Sequence, residues 1–182
     1  RELCVEVDSL IYPTLWHGDD LFSVQMGAPR KNDAQIPPPN GDHLQTRLDL
    51  SDRSFTGFSL SMGNPHFVCF CDQDAPHILA QRYGAELEGH PFFPNRANIS
   101  FVKVRDDGLE VVVHERGVGV TQACGSGACA VAVAATRRGY GAKDVKQSLF
   151  MPGGTLWVTV HDNEEITMLG EAKLVFRGHI AI

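Results

Sequence analysis

The chain has 182 residues, enough for one good core or two small ones, and its hydrophobic content of 43% is that of an ordinary globular protein. The formal net charge is −6 and the 16 Lys and Arg residues are scattered, which argues against a nucleic-acid partner. No apolar run reaches the about eighteen residues of a membrane span, and the odd count of 5 cysteines does not suit a disulfide scaffold, so we expect a cytoplasmic protein with no membrane partner.

Short runs rich in Val, Phe and Ile, bounded by Gly, Pro, Asn or Asp, predict strands along most of the chain. In chain order these runs are LCVEV, LFSVQM, GFSLSMG, HFVCFC, NISFVKV, LEVVVHE, QSLFM, TLWVTV, EITML and AKLVFRGHIAI. Turn-like sequences at 105–110 and 161–165 join neighbouring runs as hairpins, which favours antiparallel sheet. The segment 27–43 is rich in Pro and polar residues and is predicted to be a surface loop.

Two segments are predicted to be helical. The first covers about 75–83, with Asp74 as a cap, Pro76 in the first turn and Gly84 just past the end. The second covers 127–138 and ends at Gly139.

The second helix is apolar on nearly every face, and most of its side chains are small. A helix without a polar side is a buried helix. The sequence therefore predicts an α+β fold, in which a curved, barrel-like antiparallel sheet wraps around a central buried helix.

The stretch TQACGSGACA places Cys124 immediately before a glycine-rich helix start. The free N–H groups of Gly125, Ser126 and Gly127, with the positive end of the helix dipole, would lower the pKa of Cys124 from its usual value of about 8.5. The same N–H groups would bind an anion such as a carboxylate. We therefore expect a thiolate beside an anion site, although most free cysteines, including Cys129 inside the helix, are only small buried hydrophobes.

Other candidate residues lie at the ends of predicted strands. Asn64 and His66 follow one strand and Asn98 precedes another, at places where asparagine is often only a turn former. Glu115 and Arg116 end the strand that leads into the cysteine turn. Such a pair is commonly a solvated edge, but in an amino-acid site it would bind an ammonium group and a carboxylate.

Two rival interpretations use the same residue types. Cys124, His66 and Asn98 could form a thiol hydrolase site, in which the histidine activates the nucleophile and the asparagine orients the histidine. A zinc site is the second alternative, with Cys69, Cys71, His66 and His90 as ligands. It is the weaker one, because a Cys-x-Cys pair inside a strand lacks the turn that zinc-binding pairs use, and we expect no metal.

Four motifs, SMGNPH, FPNRANISF, ERGVGVTQACGSGACA and MPGGTL, together resemble the diaminopimelate epimerase family of amino-acid racemases and epimerases, which work without pyridoxal phosphate. The resemblance extends from about residue 21 to the GHIAI end. It implies a fold of two similar halves, each a barrel-like sheet around a central helix, with the substrate between them. The chain would then hold a remnant of the first half in 1–20, the second half in 21–170, and in 171–182 a terminal strand that can return to the first half.

The resemblance implies an isomerase that interconverts LL- and meso-diaminopimelate in lysine and cell-wall precursor biosynthesis. An α-hydrogen is a very weak acid, so one group must remove it while a second, protonated group waits on the opposite face. The family uses two cysteines for these roles, one from each half, and no cofactor. The partner is then a small amino acid, with no nucleic acid and no membrane, and a homodimer is compatible with the resemblance.

The resemblance also assigns residues. Cys124 matches the catalytic cysteine of the second half, His66 matches a histidine close to the catalytic cysteine, and the resemblance gives both residues a catalytic role. The matched substrate-binding positions are Asn64, Asn98, Glu115, Arg116, Gly125 and Ser126. The family's first half, with its own cysteine, has no match here, so we expect the chain to be inactive alone. A further alternative is that the chain is a truncated relative that only binds amino acids. Val120 also departs from the family, which usually has glutamate at that place.

Overall fold

The secondary structure follows the predicted order along most of the chain. The computed structural model describes residues 1–7, 9–30, 33–36 and 45–180. The strands are β1 (Glu2–Val7), β2 (Leu10–Gly18), β3 (Leu21–Gly27), β4 (Thr46–Asp49), β5 (Ser54–Ser61), β6 (Pro65–Phe70), β7 (Asn98–Arg105), β8 (Gly108–Glu115), β9 (Gly119–Val120), β10 (Lys146–Met151), β11 (Gly154–Val160) and β12 (Ile166–Glu171). The helices are α1 (Pro76–Glu88) and α2 (Gly125–Arg138).

The strands of the described residues join into one sheet. Their order across the sheet is β1-β2-β3-β12-β11-β10-β8-β7-β6-β5-β4, with β9 paired to β8. Most neighbouring strands are antiparallel, as predicted, but β6 and β7 are parallel, and so are β8 and β10. Each parallel pair is connected through a helix, α1 in the first case and α2 in the second, because parallel neighbours require a crossover connection.

The helix α2 forms the centre of the larger core. Every side chain from Ala128 to Ala135 is buried, and the helix contacts β5, β6 and β7 on one side and β11 and β12 on the other. The sheet therefore curves around α2, which confirms the predicted α+β arrangement. The helix begins two residues earlier than predicted and ends at Gly139, whose φ of 83° is the left-handed conformation expected at a helix stop.

The helix α1 packs on the opposite face of the sheet, where it forms a second core with β5, β6, β7 and β8. The predicted stop at Gly84 is wrong, because the helix continues to Glu88. A Cβ atom at Gly84 would lie 2.4 Å from Nδ1 of His114, so this glycine allows α1 and β8 to approach closely. Close approach, and not helix termination, explains the glycine.

The start of α1 also differs in part from the prediction. Pro76 is in the first turn, as predicted, but the N-cap residue is Ala75, which makes no capping bond through its side chain. The carboxylate of Asp74 instead accepts a hydrogen bond from Arg53 at 2.7 Å. The capping role predicted for Asp74 is therefore wrong.

The first two strands extend the sheet beyond β3. No run in the sequence predicted β2, which contains Pro13, yet its backbone pairs with both β1 and β3. Apolar side chains of this hairpin face solvent, namely Val5, Val7, Leu10, Ile11, Leu15 and Trp16. No helix among the described residues is long and apolar enough to cross a bilayer.

Two predictions concern segments that the structure describes only in part. Residues 31, 32 and 37–43 of the predicted loop lie outside the described residues. The strand predicted over 171–182 is not formed at 172–180, where the backbone is neither helix nor strand; 181 and 182 again lie outside. The return of this segment to a first half, and the division at residues 20 and 170, stay predictions.

Candidate active site

The predicted site residues lie at one edge of the sheet, where several elements begin or end together. The parallel strands β6 and β7 both begin there, with His66 opposite Asn98 in register. Strand β8 runs antiparallel to β7 and ends there at Glu115, before the chain turns into α2. The topology thus brings residues that are distant in sequence to the first turn of the buried helix.

Cys124 is the N-cap residue of α2, with extended φ and ψ angles of −140° and 109°. Its carbonyl accepts the first intrahelical hydrogen bond, from the N–H of Ala128 at 2.8 Å. The N–H groups of Gly125, Ser126 and Gly127 precede that bond and so have no intrahelical acceptor. The Gly127 N–H is taken by the Cys124 sulfur, so the helix start offers an anion the N–H groups of Gly125 and Ser126 beside a thiol.

Burial dominates the protonation of this thiol. Desolvation raises the pKa of Cys124 above its usual value, the Gly127 N–H and the Ser126 hydroxyl lower it, and the Glu115 carboxylate raises it again. The predicted lowering of the pKa is therefore wrong for the site as it stands, because desolvation outweighs the helix start. With a raised pKa, Cys124 is mainly a thiol at neutral pH.

Two substitutions are expected to move the pKa of Cys124 in opposite directions. Ser126→Ala removes a hydroxyl that favours the thiolate, so the pKa should rise; Glu115→Gln removes a repelling negative charge, so the pKa should fall. The ultraviolet absorbance of the thiolate, followed against pH, measures both shifts. A Cys4→Ser background is the suitable host, because Cys4 is the exposed cysteine. Shifts of the same sign in the two variants would contradict the assigned causes.

A chain of hydrogen bonds runs from His66 to Cys124. His66 Nε2 lies 2.9 Å from Asn64 Oδ1, and Asn64 Nδ2 donates to Ser126 Oγ at 3.3 Å. Ser126 Oγ in turn lies 3.7 Å from Cys124 Sγ. Since an amide oxygen only accepts, His66 carries its hydrogen on Nε2, and the hydroxyl hydrogen of Ser126 is free to point at the sulfur. The chain thus orients Ser126 toward Cys124.

His66 itself is completely buried, and burial lowers its pKa to about 3, helped by the charge of Arg116. It is therefore neutral at physiological pH. Within the described residues, its hydrogen bond goes to Asn64 and its Nδ1 has no partner. This arrangement does not match a thiol hydrolase, in which the histidine would contact the cysteine. The catalytic role of His66 stays a prediction, and its observed contact positions Asn64.

Asn98 and Arg116 are connected through the backbone. Asn98 is buried; its Oδ1 accepts from the Arg116 N–H at 3.0 Å and its Nδ2 donates to the Pro65 carbonyl at 3.1 Å. The Arg116 guanidinium donates through Nη1 to the Asn95 carbonyl at 3.1 Å and to Gln35 Oε1 at 3.5 Å. Asn98 therefore fixes the turn at Arg116, whose other guanidinium donors have no partner among the described residues and so suit a carboxylate.

Sequence reasoning missed the residues that support this edge from behind. The Thr121 hydroxyl donates to Glu115 Oε1 at 2.5 Å, and the buried carboxylate of Glu88 accepts from the Gly117 N–H at 2.8 Å. Thr121 carried no signal in the sequence. Glu88 stands out only once the end of α1 is known. An acidic residue at the C-terminus of a helix opposes the helix dipole, and this unfavourable position is the signal.

The rival zinc interpretation finds no support in the described residues, where no three His, Cys, Asp or Glu side chains are grouped to hold a metal ion. Cys69 is buried within β6, and Cys71 is buried just after the end of this strand. Burial raises the pKa of Cys71 to about 11 and that of Cys69 further above its usual value. Both side chains belong to the hydrophobic core that α1 forms with the sheet, so packing explains them.

Comparison with known sequences agrees with the resemblance drawn from the four motifs. A family model for diaminopimelate epimerase matches residues 58–175. Curated relatives named diaminopimelate epimerase include one from Acidiphilium cryptum, 39% identical over 99% of this chain and 64% of its own length. Those from Desulforudis audaxviator and Ectopseudomonas mendocina are 45% and 40% identical over 90% and 100% of this chain, and over 60% and 66% of their own lengths. The chain thus spans about three fifths to two thirds of the length of the curated relatives it matches.

Solved structures show the same fold at much lower identity. A hydroxyproline epimerase from Agrobacterium vitis, with bound trans-4-hydroxy-L-proline, has a TM-score of 0.66 and 12% identity over 94% of this chain and 57% of its own. A protein from Pseudomonas aeruginosa described as a predicted epimerase has a TM-score of 0.62 and 13% identity over 97% of this chain and 67% of its own. These similarities concern the fold alone.

Proposed function

The chain belongs to the diaminopimelate epimerase family, and from this membership we propose that it forms one side of the active site of an isomerase that interconverts LL- and meso-diaminopimelate. We place the reaction in lysine and cell-wall precursor biosynthesis, and assign it no cofactor. The observation that carries the proposal is the Cys124 thiol at the N-terminus of a buried helix, with Glu115 close enough to raise its pKa.

Substrate binding follows from the charges at the sheet edge. We assign the α-carboxylate to the N–H groups that begin α2, because the helix dipole favours an anion there. Glu115 then pairs with an ammonium group, and Arg116 with the second carboxylate of the substrate. This binding mode places the α-carbon beside Cys124 Sγ, where the same N–H groups stabilise charge that develops as the proton leaves.

Cys124 transfers the proton on one face of the α-carbon. When it acts as the acid, the S–H bond breaks, a C–H bond forms and the sulfur keeps its electron pair as a thiolate; in the reverse direction the thiolate takes the α-proton. The raised pKa supports the acid role, since the thiol form is ready before the substrate binds. The other face needs a second thiol, which we place outside these residues because no other cysteine lies at a helix start, the others being Cys4, Cys69, Cys71 and Cys129.

The remaining elements of the proposal concern organisation. We retain residues 1–20 as a remnant of the first half, 21–170 as the second half and 171–182 as a returning segment. A cytoplasmic location is supported by the free state of all five cysteines.

Val120 lies on β9 opposite His114 and is 45% exposed, so the apolar residue at this place borders solvent. We also propose a homodimer; a monomeric mass by light scattering at all concentrations would contradict it.

The reaction is tested with LL-diaminopimelate in D₂O. We use the name two-thiol protein for this chain joined to a first half that contains its own cysteine, for example that of the Ectopseudomonas mendocina relative, which is 40% identical. The two-thiol protein is expected to form meso-diaminopimelate with one deuterium at the inverted carbon, as seen by chiral chromatography and mass spectrometry. The 182-residue chain alone is expected to give no inversion.

Two other outcomes of the D₂O experiment would contradict parts of the proposal. Inversion by the chain alone would contradict the need for a second thiol. A two-thiol protein that binds diaminopimelate, but neither exchanges nor inverts the α-hydrogen, would favour the amino-acid-binding alternative and overturn the proposed reaction.

A further inference from the structure

Glu88, the last residue of α1, is a buried carboxylate whose position opposes two general preferences. The C-terminal end of a helix disfavours negative charge, and a buried charge is costly unless it is paired and hydrogen-bonded. Local rules of this kind are broken mainly at functional or strained sites. The contacts of Glu88 indicate which site this is.

Donors from separate elements converge on the Glu88 carboxylate. Oε1 accepts from the Gly117 N–H at 2.8 Å and from Arg96 Nη1 at 2.9 Å, and Oε2 lies 3.0 Å from His114 Nε2. The main-chain carbonyl of Glu88 also accepts the N–H of Ala97 at 3.2 Å. Both carboxylate oxygens are therefore hydrogen-bonded, which makes the buried charge tolerable.

The bond from Gly117 connects this cluster to the candidate active site. Gly117 directly follows Arg116, whose own N–H donates to Asn98 Oδ1 at 3.0 Å. Two successive backbone donors are thus held by two buried side chains, in a turn where Gly117 has a φ of 77°. A turn held at both donors fixes the backbone from which the Glu115 and Arg116 side chains project.

We propose that Glu88 is a positioning residue for substrate binding, which acts by holding the turn at Gly117 and so aims Arg116 and Glu115. Glu88 exchanges no proton with the substrate and does not contact it. The proposal rests on the proposed function where it concerns substrate; the hold on the turn does not depend on any activity.

The hold on the turn is tested in the 182-residue chain by amide hydrogen exchange, resolved at Gly117 by NMR. Glu88→Ala is expected to speed exchange at Gly117 by about tenfold or more, because the acceptor is lost. Glu88→Gln keeps an acceptor but loses the charge, so a few-fold increase is expected. Glu86→Ala, at an exposed residue of the same helix, is the matched control and should change nothing. Unchanged exchange at Gly117 in Glu88→Gln, and in Glu88→Ala if that variant folds, would overturn the proposal.

The consequence for substrate is tested by kinetics of the two-thiol protein. A loosened Arg116 weakens binding of ground state and transition state alike, so KM for LL-diaminopimelate should rise by about tenfold in Glu88→Ala and less in Glu88→Gln, with a smaller change in kcat. Unchanged KM and kcat despite faster exchange at Gly117 would overturn the positioning role. A failure of the proposed function would look different from a failure of the positioning role. The unsubstituted two-thiol protein would then be inactive, while the faster amide exchange at Gly117 in the Glu88 variants would still be observed.

Discussion

Replacing Cys124 with alanine in the two-thiol protein is expected to lower kcat for epimerisation by about 10³-fold or more in both directions. The reason is that one face of the α-carbon then has no acid or base. The two stereoisomers present their α-hydrogens to different thiols. Exchange of the α-hydrogen with D₂O should therefore survive, without inversion, for one stereoisomer and be lost for the other.

The matched control is Cys129→Ala. Cys129 lies five residues further along the same helix, is fully buried, and has its pKa raised to about 12 by burial. Its loss should leave kcat within a few-fold of the parent, because a small side chain remains at a packed position. Equal loss of activity in the two variants, or undiminished inversion by Cys124→Ala, would contradict the role assigned to Cys124.

The centre of the fold could be predicted because its signal is local. The run of small apolar residues in α2 predicts burial whatever surrounds it, and Gly139 ends the helix as its conformational freedom predicts. The end of α1 could not be predicted in the same way. Gly84 has the local character of a helix stop, but its packing against His114 is a long-range contact that no local pattern contains.

The sequence was a better guide to which of the candidate residues lie close together than to their energetics. Cys124 and Ser126 are found together because one motif carries both, and the sheet edge brings Asn64 within 3.3 Å of Ser126. The sign of the pKa shift at Cys124 depends on how much of the protein surrounds the sulfur, so the helix-start argument alone gave the wrong direction. The supporting carboxylate of Glu88 becomes recognisable only once its partners are in place.

The second large effect is expected from Gly84→Ala, which should lower the free energy of unfolding by about 2 kcal/mol or more, despite the better helix propensity of alanine. The new Cβ would lie 2.4 Å from Nδ1 and 2.5 Å from Cγ of the His114 ring. The ring cannot move aside freely, because its Nε2 lies 3.0 Å from the Glu88 carboxylate. Either the ring or the helix must shift, and the contact between His114 and Glu88, which supports the turn at the candidate active site, shifts with it.

Urea denaturation of the 182-residue chain measures this effect against a matched glycine. At Gly89 the nearest atom to an added Cβ is the Ala85 carbonyl oxygen at 3.7 Å, and φ is −88°, so Gly89→Ala should change stability by less than about 0.5 kcal/mol. In a His114→Ala background the imidazole ring is gone and only the Cβ contact at 2.7 Å remains, so Gly84→Ala should destabilise the chain less than it does in the parent. The same destabilisation in both backgrounds would mean that the contact with the His114 ring does not explain the glycine.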